Sequence, residues 1–337
     1  MKSRSTASLL CDCSLLGQQA ATRRDQRLAV VVVGLLAAAP SIAGYDGAFW
    51  HQWSDGKAEV DTYKLTQERY GEPREGVVVA IVVTEPWSAS KLVKDDGAVG
   101  RDRLPVLKLH TLKSFQTGIY DYHLSTTAFI NLEPLQNLAP GGAAKLSFSA
   151  QEWCGQVYHE ITDDGHGSSE VIRSYFPGES VMRPLTREEE PVLVEDALLL
   201  WARGLAGPAL PLTTSTVRFQ SSLERARLLH QPVERGAATV THVVGNALPG
   251  HPTGWDSIDI AAGHFERTDR YRVVVGDRTI DVVVEQGGAR RVLKVDSAAS
   301  SLELVKSERL AYWQMNHQAD VGARAVLGLS PTPLTQD

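Results

Sequence analysis

Apolar residues recur at every second position through much of the chain, and that period predicts strands more often than helices. Gly76 to Thr84 reads GVVVAIVVT, a dense β-branched run suited to the middle of a sheet. Ahead of it, Lys57 to Glu68 mixes Ala58, Val60 and Leu65 with charged residues. Tyr70-Gly71-Glu72-Pro73 breaks the chain between the two runs, so they are expected to form a long hairpin. Val106 to Thr111 and Ile119 to Phe129 read as two more strands around Gly118. Lys145 to Thr162 alternates over part of its length, with Leu146, Phe148 and Ala150 on one face and Lys145, Ser147 and Ser149 on the other. Asp163-Asp164-Gly165-His166-Gly167 is a turn, and Glu170 to Phe176 returns from it. Further on, Arg270 to Val275 and Arg278 to Glu285 flank Gly276-Asp277, a two-residue hairpin signal. Gln286-Gly287-Gly288-Ala289 turns the chain again, Arg290 to Asp296 pairs back, and Leu302 to Tyr312 adds another strand.

The clearest helix covers about 190–203. Glu188, Glu189 and Glu190 place negative charge at its start, Pro191 suits its first turn, and Val194, Leu198 and Trp201 recur near helical spacing. Gly204 stands where a helix-ending glycine belongs. The fold class that follows is mainly β: one or two large curved antiparallel sheets built of hairpin meanders, with one central helix. Short connections of this kind exclude a crossover α/β architecture.

Residues 23–44 change the picture of compartment. Arg23, Arg24 and Arg27 precede LAVVVVGLLAAAP, an uncharged apolar run, and Ser41-Ile42-Ala43 follows with small residues at its outer positions. That is the order of a cleavable signal peptide, with Gly44 as the first mature residue. Residues 1–43 are therefore read as leader and signal peptide. A β-rich half follows over 44–185, then the helix and C-terminal meander over 186–329, and a loose tail over 330–337. An exported protein is expected, periplasmic or associated with the outer envelope, with no transmembrane span in the mature chain. The 337-residue chain has a net charge of −6; removing the leader takes away five basic and two acidic residues and leaves −9. Such a surface disfavours nucleic acid as a partner. Of three cysteines, Cys11 and Cys13 lie in the leader, so Cys154 cannot form a disulfide within the mature chain.

The chemistry is less pronounced. Cys154, in Gln151-Glu152-Trp153-Cys154-Gly155, has His159 five residues on, the weak candidate for a nucleophile and its base. On one strand those two positions face opposite sides, and a small buried thiol is the commoner arrangement. His159, Asp163, Asp164 and His166 lack metal-ligand spacing, and neither a metal nor a cofactor is expected. Glycine motifs of dinucleotide, P-loop and α/β-hydrolase sites are missing. Lys57, Glu59, Arg69 and Arg74 read as cross-strand ion pairs of the first hairpin. Aromatic residues concentrate in the first half, and Tyr120, Tyr122 and Trp153 are the candidates for lining an apolar pocket.

The stretches Gly56-Lys57-Ala58-Glu59, Arg69-Tyr70-Gly71-Glu72-Pro73-Arg74, Val106-Leu107-Lys108, Thr117-Gly118-Ile119-Tyr120 and Gln151-Glu152-Trp153-Cys154-Gly155 occur in this order. Together they resemble an uncharacterised family of exported bacterial proteins, some of which carry the label septum formation inhibitor Maf. Met1 to Leu10 reads MKSRSTASLL, without the Ser-Pro-Arg-Arg stretch of the Maf nucleotide pyrophosphatases, so neither that activity nor its residues are carried over. The C-terminal meander is similar in pattern to exported proteins with curved, lipoprotein-carrier-like sheets. That similarity implies a concave face, covered by the central helix, that holds an acyl chain or another apolar ligand. Carriage of an apolar or lipid-like molecule without catalysis is the leading expectation. An envelope enzyme using Cys154 and a structural or adaptor role are the alternatives.

Overall fold

Strand-forming sequence dominates the molecule, and the strands join edge to edge almost without interruption. The computed structural model describes residues 45–243 and 257–330. The expected leader and signal peptide lie outside them, as does the tail from residue 331. Among the described residues the strands are β1 (Ala58–Arg69), β2 (Glu72–Ser88), β3 (Val93–Lys94), β4 (Arg103–Thr117), β5 (Tyr120–Asn131), β6 (Ala143–Glu152), β7 (Gly155–Asp163), β8 (Ser168–Ser174) and β9 (Val181–Leu185). The series continues with β10 (Val192–Val194), β11 (Thr214–Gln220), β12 (Arg235–Val243), β13 (Ile258–Ile260), β14 (Gly263–Phe265), β15 (Thr268–Val275), β16 (Arg278–Glu285), β17 (Val292–Ser297) and β18 (Ser300–Leu310). Three short α-helices accompany them: α1 (Gly47–Trp53), α2 (Leu198–Trp201) and α3 (Leu223–Leu228).

Sixteen strands form one sheet in the order β10-β11-β12-β15-β16-β17-β18-β1-β2-β4-β5-β6-β7-β8-β9, with β3 added beside β2. Every pairing in it is antiparallel except β10 with β11. The two hairpin-rich halves meet where β18 pairs with β1, from Ala58 opposite Leu310 to Gln67 opposite Ser300, with a bulge at Thr62/Tyr63. The end strands β9 and β10 do not pair, so the sheet is not a closed barrel. Side chains stitch that seam instead: Arg235 donates to the Thr186 carbonyl at 3.2 Å, and Arg218 grips Glu188 through both its Nε and Nη2.

One face of the sheet is inward. On β1 it carries Glu59, Asp61, Tyr63, Leu65 and Gln67, all buried; Tyr63 and Leu65 pack with Val78, Ala80 and Val82 of β2 and Leu107 and Leu109 of β4. Tyr122, Leu124, Leu146 and Phe148 continue the same core, and Phe49 and Trp53 of α1, Leu200 of α2 and Leu223 of α3 fill it. Trp201 of α2 packs against Tyr271, Val273, Ile280 and Val282 of the C-terminal strands. A single segment, residues 195–228, thus touches both halves of the sheet, which requires the sheet to curl around it. Such a strongly twisted and curled sheet is the usual outcome at this strand number. The outer face is covered locally, where Leu327 of the 3₁₀ segment Gln318–Leu327 packs on Ala58, Val60, Ile81 and Val83.

The mainly β fold with its curved, hairpin-built sheet agrees with the sequence reading, and one local reading needs correction. The central helix is much shorter than 190–203. Val192-Leu193-Val194 pairs as a strand with Arg218–Gln220, and helical geometry starts only at Glu195. Its β-branched valines gain more from pairing with β11 than from a helical turn. The acids of its first turn are Glu195 and Asp196, whereas Glu188 serves the seam. Gly204 does end it, at a φ of +78° that disfavours a Cβ. Lys145 to Thr162 is a hairpin of β6 and β7, turning at Trp153-Cys154.

Candidate functional site

The curled sheet and the segment it encloses do not pack everywhere. Between them lies a cleft of about 650 Å³. Its floor is the inward face of β1, β2, β4 and β5, with Gln67, Val78, Leu109, Thr111, Lys113 and Thr126. Leu198 and Leu199 of α2 and Leu228 at the end of α3 form one wall, and Ile280, Val295 and Leu302 form another. The volume falls within the range of small-molecule sites, and the mixture of an apolar lining with a few polar groups is their usual composition.

The polar groups are ordered. Lys113 Nζ donates to Glu224 Oε1 at 2.6 Å and to Gln67 Oε1 at 3.1 Å, which ties β4 to β1 and α3. Asp196, half-buried at the foot of the helical wall, accepts the Leu223 N–H at 3.0 Å. Burial holds its carboxyl well above the usual carboxylate range, with the neighbouring Glu195 and Glu224 adding to the effect. Glu195 in turn pairs with Arg278 at 3.2 Å. Arg69, at the end of β1, donates to the Leu228 carbonyl at 2.9 Å and to the Tyr122 hydroxyl at 3.2–3.3 Å.

Beyond Arg69 the three aromatics singled out from sequence do come together, at one end of the sheet and outside the lining of the cleft. Tyr120 lies 5.8 Å from Tyr122 and 6.1 Å from Trp153 between ring centroids. The hydroxyls of Tyr70 and Tyr122 are 2.8 Å apart, and Tyr120 donates to Tyr70 at 3.3 Å. Tyr122 is buried and stacks on Phe115 at 4.9 Å, whereas Trp153 is 71% exposed at the β6–β7 tip. The rim continues to Tyr175, whose ring crosses Gly155 so closely that a Cβ there would meet it at 2.5 Å. Arg69 is the link between rim and cleft, since its guanidinium lies over the rings of Tyr70 and Tyr122.

Cys154 and His159 are separated. Cys154 is exposed at the β6–β7 turn. His159 is buried inside β7, four residues along the strand from Gly155, roughly 13 Å at the rise of a strand. Its Nε2 meets Glu170 at 2.9 Å, and Arg183 holds the other oxygen of that carboxylate at 2.7 Å. Burial pulls the His159 imidazole below its usual pKa, against the pull of Glu170. Of the four charges read as cross-strand pairs, Arg74 finds Glu72 at 2.6 Å, and Glu59 pairs instead with Arg203 of the enclosed segment. Among the described residues no group of three or more His, Cys, Asp or Glu side chains is placed to hold a metal ion.

Sequence reasoning missed Lys113, Gln67, Asp196, Glu224 and Arg225. One signal was there for Lys113. It occupies the inward register of Leu107, Leu109 and Phe115, a charge in phase with an apolar face. For Asp196 and Glu224, on short helical turns, no comparable local pattern exists.

No family model matches the chain, and no curated protein matches it. A solved structure, the beta-barrel-like protein of domain of unknown function DUF1849 from Brucella abortus, is similar to it with a TM-score of 0.41 and 9% identity, over 75% of this chain and 97% of that one. Among the described residues no helix is long and apolar enough to cross a membrane.

Proposed function

We propose that the chain is exported and that it binds one apolar or lipid-like molecule in the interior cleft, without turning it over. The observation that carries this reading is the cleft itself. It offers about 650 Å³ beside an apolar floor and walls. Side chains such as Val78, Leu109 and Leu302 give the cleft an apolar lining, which suits an apolar molecule. The signal-peptide pattern of residues 23–44 and the resemblance of the first hairpins to exported bacterial proteins support the compartment.

Native mass spectrometry of protein purified without detergent from a bacterial periplasm tests the reading. A mass increment that organic extraction releases as an apolar molecule is expected from the wild type. Leu109→Trp, which fills the cleft from its floor, should remove the increment while the protein stays folded. An increment unchanged in Leu109→Trp would place the molecule elsewhere, and the cleft reading would fall.

A further inference from the structure

The charges around the cleft are not evenly compensated. Lys113 is neutralised by Glu224 at 2.6 Å, and Arg278 by Glu195 at 3.2 Å. Two cations on the same cleft have no carboxylate partner among the described residues. Arg69 spends its donors on neutral oxygens, those of Leu228 and Tyr122, and its side chain is half-buried among aromatic rings. Arg225, on α3, lines the cleft, and among the described residues its side chain makes neither an ion pair nor a hydrogen bond. The remaining cleft carboxylates do not answer them. Asp196 accepts the Leu223 amide N–H. Glu68 points to the other face of β1 from Gln67 and Arg69 and is exposed, and Asp277 is exposed at the tip of the β15–β16 hairpin.

A half-buried guanidinium with only neutral acceptors is a charge taken partly out of water without an anion to meet it. Guanidinium also presents a planar fork that matches carboxylate and phosphate. Leu228, whose carbonyl Arg69 binds, is itself part of the apolar wall, so this cation sits directly beside apolar lining. We infer that the ligand of the cleft is a single-chain amphiphile with an anionic head, the head held by Arg69 and Arg225 and the tail lying along Val78, Leu109, Leu199 and Leu302. The inference rests on the cleft reading above and adds the chemistry of the ligand to it. The shared chemistry is a carboxylate or phosphate on one alkyl chain.

Calorimetric titration with dodecanoate, dodecyl phosphate and dodecanol separates the possibilities, using protein purified from the periplasm of cells expressing the full chain. At least one of the two anionic probes should bind about tenfold or more tightly than dodecanol, because only they engage the arginines. Whichever anion shows the larger preference identifies the head as carboxylate or phosphate. Arg225→Gln should bring that preference close to one. Among the described residues its side chain holds no other group, so the variant should fold, and Arg69→Gln should act in the same direction. Arg69→Lys, which keeps the charge and loses the fork, should retain part of the preference. Lys64→Gln, on the outer face of β1, should leave it unchanged. Equal binding of all three probes, or a preference that survives Arg225→Gln, would overturn the anionic head and leave the cleft reading standing. Failure of every probe to bind would remove the cleft reading and this inference with it.

Discussion

Around Glu59 and Arg203 the interior of the curled sheet is full, and around Lys113 and Glu224 it is open. Both places hold a cation paired with a carboxylate, and in both one partner comes from the sheet and the other from the enclosed segment. Arg203 meets Glu59 at 2.5 and 3.2 Å, donates to the Ala289 carbonyl at 2.8 Å, and lies over the Trp53 ring of α1 at 5.4 Å. Asp61, next on the same face, is also buried, and one of its oxygens has no hydrogen-bond partner. Lys113 and Glu224 keep some solvent exposure and border the cleft. The lesson is that a buried ion pair by itself marks no site. Where Trp53 fills the neighbouring volume the pair is architecture, and at Lys113 and Glu224 the same chemistry borders the cleft proposed above as a binding site.

Substitutions sharpen this contrast in order of size. Arg203→Met should cost about 3–5 kcal/mol in denaturant unfolding, since it strands Glu59 in a dry interior. A cost below about 1 kcal/mol would mean that water reaches Glu59 and that the two places are alike. The next effect is one of pH. Burial, with the Glu59 charge second, pushes the Asp61 carboxyl up to about 7. The folded state therefore holds this proton over a pH range in which the unfolded state has lost it. Its contribution to stability is complete below about pH 4 and is lost as pH rises toward 7. A few kcal/mol of stability should disappear across that window, and Asp61→Asn should flatten the slope and be the more stable protein at pH 8. A slope unchanged by Asp61→Asn would assign the effect to other groups.

Lys113→Met should cost less, about 1–2 kcal/mol, because Glu224 can take water from the cleft when its partner is gone. A loss as large as that of Arg203→Met would show that the cleft is closed to solvent. Smallest of all, Cys154→Ser should change stability by less than about 0.5 kcal/mol, and the native thiol should react at once with a water-soluble maleimide. Slow labelling would place Cys154 under cover in solution.

The candidate site was only partly legible. Tyr120, Tyr122 and Trp153, read from sequence as lining a pocket, lie close together because β5 and the β6–β7 turn are neighbours in a meander, where contacts follow chain order. Their separation from the cleft was not legible, since the cleft depends on residues 195–230 passing inside the sheet. Lys113 could have been found as a charge in an apolar register. Arg225 and Asp196 gain their meaning only from what packs around them.

Strands and turns were decided locally. Alternation at Leu146, Phe148 and Ala150, the β-branched run at Gly76–Thr84 and the Gly276-Asp277 turn each act through neighbours a few residues away, and they specify hairpins wherever they occur. Tertiary structure decided the rest. Ala58 lies opposite Leu310, the Tyr63 hydroxyl donates to the Val292 carbonyl, and Arg203 reaches Glu59 across 144 residues of sequence. Val192–Val194 became a strand instead of a helical turn because β11 was there to pair with it. Periodicity reports which face of an element is apolar, but it is blind to which distant element will cover that face. For this reason the curl of the sheet, its enclosed segment and the cleft between them appear only in three dimensions.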